Sequence, residues 1–211
     1  MIESLHVKTF EDLYSIHQKE FNIGLMNIES LEPKSIKPYL VRNFTALPKM
    51  FKCIISKDNF EESLEQLNEI YFILDDNEEK AELINFVKTL VSNFADITDS
   101  PEMGVSMEKI EGDLCKHFHC DVNHLRLVYP LLGPGTLYLN EDNVKRQFLG
   151  KGKNDEVVID AARIIQVPPK TISLLKGQGH PSAHGRAIVH ASPVISNTMD
   201  KRVLLRIESI F

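Results

Sequence analysis

Cys115-Lys116-His117-Phe118-His119-Cys120-Asp121 places five potential metal ligands in seven consecutive residues, in a chain with eight histidines and three cysteines. How this stretch folds decides what it can hold. In a strand, successive side chains alternate faces and two residues advance the chain by about 6.6 Å, so His119 and Asp121 project as neighbours from one face. That is the His-x-Asp half of a two-histidine, one-carboxylate iron site. In a helix, Cys115 with His119 and His117 with Asp121 would instead share a face four residues apart, a set better suited to zinc.

Working outward, the strand reading needs a second histidine. His190 lies 69 positions after Asp121, in Ala187-Ile188-Val189-His190-Ala191-Ser192-Pro193-Val194, where an apolar run delivers one imidazole and stops at a proline. Arg202 follows twelve positions later and opens the strand-like run Arg202-Val203-Leu204-Leu205-Arg206-Ile207. A His-x-Asp pair, a distant histidine and a basic residue about a strand later resemble, in that order, the iron(II)/2-oxoglutarate oxygenases. The resemblance implies that His119, Asp121 and His190 hold iron on one face and leave three positions open. It also implies that 2-oxoglutarate binds the metal through its keto-acid end while a basic residue holds its far carboxylate. A planar guanidinium suits that task through paired hydrogen bonds. Arg202 is the first candidate by spacing, Arg206 on the same strand face is second, and Arg126 is third.

The chain has 211 residues, of which 43% are hydrophobic, enough to bury the core of one large domain or two small ones. Thirty acidic against 24 basic residues give a net charge of -6, with no long Lys/Arg run. That balance argues against binding nucleic-acid phosphates or anionic lipid. No apolar run reaches the roughly 18 residues needed to span a bilayer. Met1 to Lys8 lacks the pattern of a secretory signal, so a cytoplasmic location is expected. Three cysteines do not make a disulfide framework, and Cys53 reads as a small buried apolar residue.

Residues 1–100 are expected to be mostly helical and to pack on a β core formed by residues 101–211. Thr9 and Asp12 form a capping box for a helix carrying Phe10, Leu13 and Tyr14. Phe21 to Ile28 alternates loosely, as an extended segment would, and Pro33 and Pro38 bracket a turn. Phe60, Leu64, Leu67, Tyr71 and Leu74 form one helical stripe, capped by Asp58 with Glu61, and Leu83, Val87, Leu90 and Phe94 form another. Asp75, Asp76 and Asn77 separate the two, which are expected to pair as a hairpin of core helices. Asp96 to Gly104 reads as a loop and marks the boundary.

Beyond it the texture becomes that of strands: Leu125 to Tyr129, a Gly133-Pro134-Gly135 turn, Thr136 to Leu139, Val157 to Ile159, Ile164 to Val167, Ile172 to Leu175, Ala187 to His190 and Val203 to Ile207. Short strands at this spacing predict an α+β protein whose core is a double-stranded β-helix, a cupin-like jelly roll.

The stretch Cys115 to Asp121, Arg126-Leu127, Gly133-Pro134-Gly135-Thr136, Leu174-Leu175-Lys176-Gly177, Val189-His190-Ala191-Ser192-Pro193 and Arg202 to Ile207 together resemble the bacterial family called domain of unknown function 1826. Ala191 stands where that family is expected to have arginine. The resemblance covers the carboxy-terminal half closely and groups these residues without assigning them an activity.

Two further readings stay open. One is a zinc-binding protein without turnover, using Cys115, His117, His119 and Cys120. The other is a jelly-roll binding module with no metal. His117 and His124 are expected to face solvent or the sheet. His180 and His184 sit in the Gly-rich loop Gly177 to Gly185, which either closes over a site or supplies a ligand; its glycines fit no phosphate-cradling pattern.

Overall fold

A computed structural model of the chain describes residues 3–71, 74, 77–112, 116–151, 153–195 and 201–211. Its strands, in chain order, are β1 (Glu3–Val7), β2 (Phe21–Asn27), β3 (Met50–Ser56), β4 (Glu102–Ile110), β5 (Leu125–Leu132), β6 (Leu137–Leu139), β7 (Ile165–Gln166), β8 (Thr171–Lys176), β9 (Val189–Ala191) and β10 (Arg202–Ile210). They form a seven-stranded sheet ordered β1-β2-β8-β5-β10-β4-β3 and a three-stranded sheet ordered β7-β6-β9. Only the β1–β2 pair in the larger sheet is parallel.

Alternation along β10 explains how the layers stack. Val203, Leu205 and Ile207 enter the larger apolar core, which they share with Leu125, Leu127, Tyr129 and Leu131 of β5. That core is closed by the helices α1 (Ile36–Asn43), α2 (Phe60–Leu64) and α3 (Glu78–Ile97). Leu204 and Val128 point the other way. They meet Ile23, Leu25 and Leu175 of the large sheet and Tyr138 and Ile188 beneath the small one, so a second core lies between the two sheets. Arg202, Arg206 and Glu208 share Leu204's face by the two-residue period. Gly133 and Gly135 carry the chain from β5 in the large sheet to β6 in the small one. A Cβ on Gly135 would lie 2.2 Å from the Val167 carbonyl oxygen, and Gly133 has φ +88°.

The expectation of a mostly helical first hundred residues is corrected. The first strand begins at Glu3, and β1, β2 and β3 all join the large sheet. β3 escaped because its sequence Met-Phe-Lys-Cys-Ile-Ile-Ser is short and nearly all apolar, whereas its burial follows its edge position. Thr9 and Asp12 do bond, the Asp12 N–H donating to Thr9 Oγ1 at 3.2 Å, but the helix that follows is the 3-10 helix Glu11–His17 and Phe10 holds its cap position. Pro38 lies inside α1, in the first turn, where its missing N–H costs no helical bond. The first stripe breaks after α2 into a 3-10 helix, Glu65–Glu69, and Asn59 rather than Asp58 sits at the cap.

The second stripe forms as expected: Leu83, Val87, Leu90 and Phe94 are buried on α3, which is capped by Asn77 Oδ1 accepting from the Lys80 N–H at 2.9 Å. Asp75 and Asp76 lie outside the described residues. The loop predicted at Asp96 to Gly104 is shorter, since α3 runs to Ile97 and β4 starts at Glu102. Strands from both sides of residue 100 therefore share one sheet. In place of the strand expected at Val157 to Ile159 there is α4 (Asn154–Val157), with only a single bridge from Val158 to Val144. Among the described residues no helix is long and apolar enough to cross a membrane.

Candidate metal centre

His119 enters the site through the backbone. Its N–H donates to the His190 carbonyl at 3.0 Å and the His190 N–H donates back at 2.9 Å, an isolated antiparallel bridge that extends the small sheet by one residue. Directly paired residues point to the same face, and the two imidazoles lie with ring centroids 4.5 Å apart. Asp121, two residues on, shares that face. Phe118 and Cys120 point the opposite way into a small apolar cluster with Leu139, Val157 and Val189. Asn154 holds the approach to this segment, accepting from the Phe118 N–H at 2.9 Å and donating to the Lys116 carbonyl at 2.7 Å.

The Gly-rich loop backs the carboxylate's segment. The Gly177, Gln178 and Gly179 N–H groups donate to the carbonyls of His124, Asp121 and Asn123 at 2.9, 2.8 and 3.2 Å. A Cβ on Gly177 would lie 2.0 Å from the Asn123 carbonyl oxygen, so only glycine permits this approach. His180 turns away from the triad toward His17, and His184 is exposed.

One ligand atom each from His119, Asp121 and His190 all lie within 4.8 Å of one another. His119 Nε2 is 3.8 Å from Asp121 Oδ1, and His190 Nε2 is 3.6 Å from Asp121 Oδ2. Each imidazole turns its other nitrogen to a carbonyl: His119 Nδ1 lies 2.9 Å from His117 O, and His190 Nδ1 lies 3.5 Å from Ile188 O. Donation from Nδ1 leaves Nε2 as a lone pair aimed at the carboxylate, the arrangement that orients metal-bound histidines. Asp121 Oδ2 is buried without a hydrogen-bond partner among the described residues. An orphaned buried carboxylate oxygen 3.6 Å from the His190 Nε2 lone pair, in a carboxylate whose other oxygen lies 3.8 Å from His119 Nε2, fits a divalent cation. His190, 7% exposed, is pushed down to about 4, chiefly by burial and against the pull of Asp121, so its imidazole is neutral at ordinary pH.

The three candidate arginines differ in how they are engaged. Arg126 Nη1 is 2.6 Å from Asp121 Oδ1, and its Nε and Nη2 donate to Glu208 Oε2 at 3.0 and 2.5 Å. Arg206 Nη2 donates to Glu108 Oε2 at 2.5 Å. Among the described residues Arg202 meets no carboxylate. It is 1% exposed, with Nε donating to the Pro134 carbonyl at 3.0 Å and Nη1 to Ser192 Oγ at 3.3 Å, while Nη2 is buried without a partner among the described residues. Burial lowers its pKa from the usual value to about 10. Ser192 is not singled out by the sequence reading, although it stands two residues after His190 in the same run, which is the signal that would find it.

The sulfur-rich alternative fares differently. Cys115 lies outside the described residues. Cys120 Sγ is directed at the Ala187 carbonyl and Arg146, burial pushes its thiol up, and residues 116–121 are not helical.

Residues 8–208 match the family described as "Protein of unknown function (DUF1826)". No curated protein matches the chain. Among solved structures, the dioxygenase for auxin oxidation 1 from Arabidopsis thaliana, as its 2-oxoglutarate complex, aligns with a TM-score of 0.55 at 10% identity, covering 100% of this chain and 92% of that one. A full-length Neurospora crassa protein, in complex with alpha-KG and 5-formyluracil, aligns at 0.51 and 8% identity, covering 99% and 84%. JOX2, in complex with 2OG, Fe and JA, aligns at 0.51 and 9% identity, covering 98% and 74%. The chain shares their sheet-rich fold.

Proposed function

We propose that this chain, which belongs to the family of proteins of unknown function DUF1826, is an oxygenase dependent on iron(II) and 2-oxoglutarate. The observation that carries the reading is the convergence of His119, Asp121 and His190, with both Nε2 atoms and one carboxylate oxygen unengaged, on a fold shared with such oxygenases. In this reading the two facing sheets are a double-stranded β-helix. Residues 101–211 supply the whole metal site, and residues 1–100 supply flanking strands and the helical layer. A reducing cytoplasm suits a ferrous centre and the free thiols of Cys53 and Cys120.

His119, Asp121 and His190 would hold iron through three protein ligands and leave the remaining positions open. Bound together, iron(II) and 2-oxoglutarate supply oxidation of a C–H bond by dioxygen. The chain's own part is positional. Arg126 takes one oxygen of Asp121 and so directs the other toward the metal. Arg202 is the anchor for the far carboxylate, because its Nη2 is the buried guanidinium nitrogen left without a partner among the three candidates. Through Ser192 it stands two residues, about 7 Å of extended chain, from His190, a separation that suits a five-carbon diacid chelated at the metal. Arg206 and Arg126 each commit guanidinium N–H groups to a carboxylate of the chain, whereas among the described residues Arg202 commits none, so Arg202 has the most to offer the far carboxylate.

The test is turnover of 2-oxoglutarate to succinate by the iron-loaded full chain, followed with dioxygen uptake. Arg202→Ala is expected to weaken 2-oxoglutarate binding about tenfold or more while iron is retained. Unchanged binding in that variant would move the anchor to Arg206 or Arg126, and absence of turnover in the unaltered chain would overturn the proposal.

A further inference from the structure

The large sheet is not covered evenly. Where β3 and β4 run past the small sheet, its inner face opens as a cleft of about 470 Å³ lined by Lys52, Ile54, Gly104, Ser106, Arg206 and Glu208, with Arg126 at its inner end. The strand register lays these side chains out in two cross-strand rows. Lys52 pairs with Ser106, and Ser106 pairs with Arg206. One row along, Ile54 pairs with Gly104, Gly104 with Glu208, and Glu208 with Arg126. In these two rows the middle strand therefore contributes only Gly104 and Ser106, with Glu108 next along the same face. The result is a trough walled by Lys52 and Ile54 on one side and Arg206 and Glu208 on the other, two strand spacings or about 10 Å apart. Its inner end is Arg126, whose Nη1 touches Asp121 Oδ1 at 2.6 Å. Arg126 thus joins the trough to Asp121 of the triad.

Charge in the trough is unevenly cancelled. Glu208 is held by Arg126 and by Asn123 Nδ2 at 3.2 Å, and Glu108, beside the trough on β4, is held by Arg206 Nη2. Arg206 lines the cleft with its side chain 26% exposed, and among the described residues only its Nη2 is hydrogen-bonded. Among the described residues Lys52 makes no ion pair. An exposed ammonium, a small hydroxyl and a guanidinium in one row make a cradle for an anion, and the neighbouring Ile54, 51% exposed beside Gly104 and the Glu208 methylene that packs over it, offers an apolar wall.

We propose that this trough binds the substrate, and that the substrate is a small amphipathic acid. Its carboxylate or phosphate sits between Lys52 and Arg206 over Ser106, and its carbon skeleton lies along Ile54 and Gly104 toward Arg126 and the triad. The substrate assignment rests on the oxygenase reading; the anion cradle itself rests only on the register and on the charges.

The experiment uses the full chain saturated with 2-oxoglutarate and cobalt(II), so that Arg202 is occupied, and titrates phenyl phosphate, benzoate and neutral benzyl alcohol by calorimetry. The anions are expected to bind and the alcohol to bind far more weakly, and the stronger anion identifies the headgroup as phosphate or carboxylate. Lys52→Glu and Ser106→Glu should each weaken the anion about tenfold or more, Lys52→Arg should retain it, and 2-oxoglutarate affinity should stay unchanged in all three. Anion binding that is absent, or indifferent to Lys52→Glu and Ser106→Glu, would overturn the cradle and leave the oxygenase reading standing. A chain that takes up neither cobalt(II) nor 2-oxoglutarate would overturn the oxygenase reading, and the same variants titrated without them would still decide the cradle.

Discussion

His190 is the side chain on which the site's chemistry turns. It is buried, its Nδ1 faces a carbonyl, and its depressed pKa of about 4 keeps Nε2 free to bind a metal. Its neutrality has a measurable consequence. His180 is likewise pushed down to about 4, first by burial and then by the Lys176 ammonium and His17. An unfolded histidine titrates near 6.5. Between about pH 6.5 and 4 the unfolded chain therefore binds protons that the folded chain refuses, so stability is lost as pH falls through that window. Thermal melts of metal-free protein should show Tm dropping by several degrees from about pH 7 to about pH 5, above most carboxylate titration. His180→Gln should remove part of that slope, and a flat Tm would contradict the burial of both rings. At this scale the sequence was informative. His119 and Asp121 were legible because two-residue alternation fixes a shared face, and His190 because a lone imidazole ended an apolar run. The engagement of Arg126 with Asp121 was not legible, since it depends on the turn between Asp121 and β5.

At the scale of elements, glycines decide how closely segments approach. Gly135 and Gly177 each face a carbonyl oxygen where a Cβ would sit 2.2 and 2.0 Å away, whereas a Cβ on Gly112 meets nothing within 4 Å. Backbone cannot retreat as a flexible side chain can. Gly135→Ala and Gly177→Ala should each cost about 2 kcal/mol or more, roughly a 4–8 °C fall in Tm for a chain of this size, with Gly112→Ala near neutral. Equal melts for all three would contradict the packing described at these turns. The strands β5, β8 and β10 were legible because alternating apolar residues or nearly pure apolar runs mark them. β4 was missed even though Met103, Val105 and Met107 alternate with Gly104, Ser106 and Glu108, because Pro101 and Gly104 drew its start into a loop. The mistaken strand at Val157 shows the reverse, an apolar triplet captured by a helical turn that Asn154 anchors to the Phe118 segment.

Across the whole molecule, two sheets enclose one core while helices cover the outer face of the larger sheet, so the site and the trough both occupy the side that helices leave free. This division was only half visible in sequence. The helical texture of the first hundred residues comes from α1, α2 and α3, but the three strands among them complete the sheet on which the carboxy-terminal residues build their site. Long-range pairing such as β3 with β4 leaves no local periodic mark. One metal centre per chain is what the fold is built to hold. The most direct measurement is anaerobic calorimetric titration of the full chain with iron(II), repeated for His119→Ala, Asp121→Ala and His190→Ala. One iron(II) bound per unaltered chain, and loss of that binding in each variant, is the predicted result; binding that survives in all three variants, or no binding by the unaltered chain, would contradict it.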